Sequence, residues 1–179
     1  MRKIIAIILS VFILTACNLP RSTPDLRTAP VTDTPADQSC YFNWATQPLP
    51  DLSAKIQAAF DSVGLKDVTA TAEAFGENCY DSQTNQPVSF SAMETDFRLS
   101  VLVDNLTDNE KLGNLLDKIL TVLDGFTSKT TQATQPGYVG VTFRTGNDEL
   151  RFWFLVEDGK SARALGLHGA ALLEELRSK

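Results

Sequence analysis

The chain has 179 residues, of which 43% are hydrophobic and 21% are charged, and it contains one histidine and three cysteines. The first 16 residues hold two basic side chains and no acidic one, which leaves 14 basic against 22 acidic groups and a formal charge of −8. This balance excludes a nucleic-acid partner, because such proteins need a basic surface that displaces counterions from phosphates. The small number of histidines and cysteines also argues against zinc, haem and iron–sulfur sites, which need several such ligands. We therefore expect no cofactor and no metal.

The N-terminus has the layout of an export signal. Arg2 and Lys3 make a positive start, and an apolar run over residues 4–14 follows, broken only by Ser10. Residues 4–16 would span about 20 Å as a helix, which is short of the roughly 30 Å hydrocarbon core of a membrane. Residues 1–16 are therefore predicted to be a signal peptide that is removed on export.

The apolar run ends in Leu14-Thr15-Ala16-Cys17. This stretch resembles the lipobox of bacterial lipoproteins, in which a branched apolar residue and two small residues precede a cysteine. The resemblance implies that Cys17 is acylated and becomes the first residue of the mature protein. Two or three acyl chains would hold the protein durably at the extracytoplasmic face of a bacterial membrane. Asn18 in place of aspartate favours the outer membrane of a Gram-negative cell, and an ordinary secretory peptide is the alternative.

Residues 17–38 are predicted to be the lipidated cysteine and a disordered tether. Four prolines lie among Ser, Thr, Asp and Arg, and few large apolar side chains are present to offset the entropy of ordering. The tether would reach about 65 Å as a polyproline helix, enough to lift a folded domain clear of the lipid headgroups.

Two cysteines remain once Cys17 is lipidated, namely Cys40 and Cys79. Because an exported protein meets an oxidising environment, this pair is predicted to form a disulfide. Closing a loop of this length would stabilise the fold by about 4 kcal/mol in the chain-entropy model. Two buried free thiols are the alternative.

The apolar spacing predicts one α+β domain over residues 39–179. Predicted helices cover residues 51–63, 107–125 and 170–177. Predicted strands cover residues 68–75, 90–103, 139–143 and 150–156, with a bulge near Ala92. Residues 76–87 and 127–136 are predicted loops, and Thr107 with Glu110 has the spacing of a helix capping box.

The predicted order is therefore helix–strand–strand twice, followed by a C-terminal helix. This order predicts a two-layer sandwich, in which a four-stranded antiparallel sheet carries the helices on one face. The repeated helix-and-hairpin layout of residues 51–105 and 107–157 suggests a duplication, although the two halves share no residue-level identity.

Candidate catalytic groups are few. His168 lies in a glycine-rich turn and has no nucleophile motif beside it. Glu94 and Asp96 point the same way from a predicted strand, as a glycosidase pair would. Arg98 continues the same row, however, and an alternating charged face is typical of a solvated sheet. An extracytoplasmic hydrolase that uses Glu94 and Asp96 is therefore kept as an alternative function.

The sheet face opposite the helices offers a better candidate site. It is predicted to display Arg98, Tyr138, Arg144, Arg151 and Trp153. Arginine and aromatic side chains of this kind are enriched where proteins bind partners, and they suit an anionic or carbohydrate ligand or an envelope protein. The alternative is that the segment around residues 41–44 or the C-terminal tail covers this face and buries Trp153.

The sequence thus predicts a lipid-anchored, extracytoplasmic binding or envelope-interaction module without catalytic activity. A structural component of an envelope assembly is a further alternative. The ligand is not identified by the residues.

Overall fold

A computed structural model describes residues 39–126, 133 and 135–179. The predicted signal peptide, the predicted lipidation site Cys17 and the predicted tether lie outside these residues. Within the described part, five strands and four helices follow one another: β1 (Cys40–Pro48), α1 (Pro50–Ser62), β2 (Val68–Asp81), β3 (Pro87–Leu102), α2 (Asn109–Leu123), β4 (Gln135–Thr145), β5 (Asp148–Leu155), α3 (Val156–Ala164) and α4 (Gly169–Arg177). In the same residues, no helix combines the length and the hydropathy that crossing a lipid bilayer requires.

The sheet corrects the predicted four-stranded antiparallel arrangement. Its strand order is β1-β2-β3-β4-β5, and the β3–β4 pair is parallel whereas the other pairs are antiparallel. The connection through α2 returns the chain to the other end of the sheet, so β4 runs in the same direction as β3. The sequence did not predict the additional strand β1. Seven of its nine residues are exposed, so its apolar and polar residues do not alternate as they do in a half-buried strand.

The β2–β3 hairpin is longer than the predicted strands. The predicted loop over residues 76–87 is mostly strand, because β1 and β3 pair with β2 on either side as far as its end. A register shift falls where Phe75 pairs with Glu94 but Gly76 pairs with Ala92, which confirms a bulge next to Ala92. Gly76 is needed there, since a Cβ atom would lie 2.0 Å from the carbonyl oxygen of Ser91.

Burial alternates along the inner strands, and one face of the sheet packs against the helices. The largest fully buried side chains come from this face and from the helices above it: Ile56, Phe60, Phe97, Leu112, Leu116, Ile119, Leu123, Phe143, Phe154, Leu172, Leu173 and Leu176. They belong to one hydrophobic core. The described part of the chain is therefore an α+β fold whose other sheet face carries no part of this core.

The start of α2 differs from the predicted capping box. Asp108 caps the helix, because its Oδ1 accepts a hydrogen bond from the backbone N–H of Lys111 at 3.1 Å. Glu110 instead reaches α4, where its Oε2 accepts from the backbone N–H of Ala170 at 2.9 Å. One acidic side chain of α2 thus satisfies a free amide in the first turn of α4.

The predicted disulfide between Cys40 and Cys79 is confirmed, with the two Cα atoms 5.5 Å apart. It joins the beginning of β1 to the distal half of β2. In the strand register, Cys40 lies opposite Asp81, and Phe42 lies opposite Cys79, so the bridge runs diagonally across the ladder.

Candidate binding face

The sheet face that points away from the helices is accessible at all five candidate residues. Arg98, Tyr138, Arg144, Arg151 and Trp153 are each exposed, with Trp153 at 38% and Tyr138 at 42% of their full surface. The alternative of a covered face required a segment of the chain to lie over Trp153 and bury it. No described segment does so. We call this surface the open face.

The strand register brings three of the five candidates together. Trp153 of β5 lies opposite Gly140 of β4, which in turn lies beside Arg98 of β3. Arg151 stands one row further along β5, opposite Thr142. The two remaining candidates flank this group, with Tyr138 one row beyond Trp153 and Arg144 one row beyond Arg151.

Arg98 is held between an aromatic ring and a carboxylate. The centre of its guanidinium lies 4.8 Å from the centroid of the Trp153 ring, a cation–π contact. On the other side it donates to the carboxylate of Glu73 on the neighbouring strand. Half of the Arg98 side chain stays accessible, so the structure presents a guanidinium in a fixed orientation.

Gly140 allows the Trp153 ring to lie flat on the sheet. A Cβ atom at this position would come within 2.5 Å of two carbons of the indole ring. The ring therefore covers the backbone of β4, and any larger residue at position 140 would push the ring away from the sheet. Glycine inside a strand commonly marks such a close approach.

Beside the Trp153 ring, the open face sinks into a shallow cavity of about 310 Å³, which we call the trough. Four hydroxyl groups and two guanidinium groups line it: Thr69, Thr71, Ser100, Thr142, Arg98 and Arg151. Among the described residues, no carboxylate lines this cavity. Glu149 lies outside the cavity, and its Oε1 atom forms a salt bridge with Nη2 of Arg151 at 3.1 Å. The trough thus offers hydrogen-bond donors with positive charge, and hydroxyls that can both donate and accept.

No family model, curated protein or solved structure matches this chain. The chemistry of the open face is therefore the basis for its functional interpretation.

The two carboxylates of the hydrolase alternative do lie on β3, but Asp96 has a structural contact. β4 carries an extra residue opposite Asp96, and the Oδ1 atom of Asp96 accepts from the displaced backbone N–H of Tyr138 at 2.8 Å. Gly137 makes room, since a Cβ there would lie 2.3 Å from the same oxygen. Partial burial raises the pKa of Asp96, while the hydrogen bond from Tyr138 opposes this shift.

His168 is not near these carboxylates. It precedes α4 in the helical layer, where its Nδ1 lies 3.3 Å from an Oδ2 atom of Asp117 on α2. The sheet and the core separate it from the open face that bears Asp96. The structure therefore does not bring His168 together with Glu94 and Asp96.

The sequence did not single out Thr69, Thr71 and Ser100 of the trough, nor the carboxylate that orients Arg98. Thr and Ser on a strand are too common to stand out, and Glu73 becomes a partner of Arg98 only through pairing of β2 with β3. Gly140, between Val139 and Val141, was the one usable signal. In the part of the chain that the structure describes, no three His, Cys, Asp or Glu side chains form a group that could hold a metal ion.

Proposed function

We propose that this protein is a lipid-anchored, extracytoplasmic binding module that captures an anionic carbohydrate in the trough of its open face. The single observation that carries the proposal is the lining of the trough. Two arginine side chains and four hydroxyls face the same shallow cavity, and no described carboxylate does.

The ligand class follows from this lining. Guanidinium groups form strong, charge-assisted hydrogen bonds with carboxylate, sulfate or phosphate oxygens. The hydroxyls of Ser100 and Thr142 can donate to or accept from the hydroxyl groups of a sugar. Arg98 is already oriented by Trp153 and Glu73, so less conformational entropy is lost when a ligand binds.

The proposed location has two supports. The sequence ending in Leu14-Thr15-Ala16-Cys17 resembles a lipobox, and the disulfide between Cys40 and Cys79 suits an oxidising compartment. Mass spectrometry of the protein from its native host tests the anchor. We expect an N-terminal Cys17 bearing acyl chains, and an intact leader or an unmodified Cys17 thiol would contradict the proposal.

The trough is tested by titrating the protein with polygalacturonate and dextran sulfate, with neutral dextran as the uncharged probe. We expect binding of at least one polyanion and none of dextran, with affinity that falls as salt is added. Arg151→Ala should weaken binding about tenfold or more, because a hydrogen bond to a charged group is lost. Gly140→Ala should also weaken it by displacing the Trp153 ring.

Arg144→Ala is the matched control. It removes the same charge from the next row of the open face without touching the trough. We expect its affinity to stay close to that of the unsubstituted chain, and we expect the two arginine variants to keep the thermal midpoint of that chain. An equal loss of affinity in Arg144→Ala and Arg151→Ala would reduce the effect to net charge and overturn the assignment to the trough.

A further inference from the structure

The edge strand β1 is unusual because it carries no charge. Its sequence, CYFNWATQP, has no acidic or basic side chain over nine residues. Three aromatic side chains on it are exposed, with Tyr41 at 45%, Phe42 at 61% and Trp44 at 58% of their full surface. Its pairing with β2 runs without a register shift, and no described strand pairs with its other edge.

The opposite edge of the sheet is built differently. β5 carries three charged side chains within eight residues: Asp148, Glu149 and Arg151. Charges, bulges and prolines are the usual means by which proteins keep an edge strand from pairing with another chain. β5 has such protection in its first half, whereas β1 has a single proline, Pro48, at its last position.

We propose that β1 pairs antiparallel with β1 of a second copy, which would join the two sheets into one. A two-fold axis requires the same surface on both copies, and an antiparallel pair of identical strands meets this requirement. Because β1 is uncharged, no like charges face each other across the pair. The backbone N–H and C=O groups on the free edge would find partners in the second copy.

The midpoint of β1 is Trp44, so the fully overlapping pair places Trp44 opposite Trp44 of the partner subunit. Each indole already stacks on Phe75 of β2, with ring centroids 5.2 Å apart. Dimerisation would therefore bring the two Trp44 rings, each exposed in a single copy, side by side and cover part of their surface. A lipid surface would cover the aromatic rings as well, but hydrocarbon offers no partner for the free backbone groups of an edge strand.

The association state of the full chain in a non-ionic detergent tests the proposal, measured by sedimentation over a range of concentrations. We expect a reversible dimer. Asn43→Lys and Gln47→Lys each place a positive charge on β1 and should raise the dissociation constant about tenfold or more. Glu149→Gln raises the net charge by the same one unit, but on β5, and should leave the dissociation constant unchanged.

A second measurement does not depend on altering β1. The Trp153→Phe variant leaves Trp44 as its only tryptophan, and its emission should shift to shorter wavelength as protein concentration rises. A thermal midpoint equal to that of the unsubstituted chain shows that the lysine variants remain folded. A monomer at all concentrations would overturn the proposal, as would a dimer unaffected by both β1 variants. An emission shift seen only with phosphatidylcholine vesicles would also overturn it, in favour of a lipid surface.

Discussion

Replacing Gly113 with alanine should lower the free energy of unfolding by about 3 kcal/mol, a large effect for one added methyl group. Gly113 lies in the second turn of α2 and faces the first residue of α4. A Cβ atom there would lie 1.8 Å from the carbonyl oxygen of Gly169 and 2.2 Å from its carbonyl carbon. Both atoms are backbone, so no side-chain rotation can relieve the contact, and the two helices must move apart.

The expected loss exceeds the gain in helix propensity, which favours alanine over glycine by about 1 kcal/mol. Urea unfolding of the two proteins measures the difference. Lys118→Ala, on an exposed position of the same helix, is the control and should change stability by less than about 0.5 kcal/mol. If Gly113→Ala is as stable as the unsubstituted chain, the close approach of α2 to α4 is wrong.

Removing the disulfide should have a comparable effect. The bridge closes a segment with a sequence separation of 39. In the chain-entropy model, such a loop stabilises a protein by about 4 kcal/mol, because the reduced unfolded chain gains conformational freedom. We therefore expect the variant with Cys40→Ser and Cys79→Ser to unfold at a markedly lower temperature, and the beginning of β1 to lose its fixed pairing with β2.

A reducing agent provides the matched comparison for this prediction. It should lower the thermal midpoint of the unsubstituted chain to near that of the double serine variant, and it should not affect the variant itself. Equal midpoints of the chain before and after reduction, with the thiols shown to be free, would contradict the predicted contribution of the bridge.

Features that depend on local periodicity were predictable from the sequence. The helix predicted over residues 107–125 is α2, and its buried positions, among them Leu112, Leu116 and Leu123, repeat at helical spacing. The bulge near Ala92 followed from a change of phase in the apolar alternation, and the register shift confirms it. The disulfide was predicted from the expectation that Cys17 is lipidated, which leaves Cys40 and Cys79 to pair.

Features that depend on distant pairing were not predictable in this way. β1 shows no clear alternation, and it is a strand because all nine of its residues pair with β2. The parallel direction of β4 depends on where the helical connection returns the chain, which local spacing does not record. Glu110 fitted a local capping box but accepts instead from Ala170, which is 60 residues away.

For the candidate site, the sequence by itself determined which side chains point away from the core. The alternation of apolar residues placed Arg98, Arg151 and Trp153 on one side of the sheet, because successive side chains on a strand point to opposite faces. Only the tertiary structure decided that these three meet around a trough. Their contact depends on the register of three neighbouring strands and on the space above Gly140, and both arise from pairing between segments far apart in the chain.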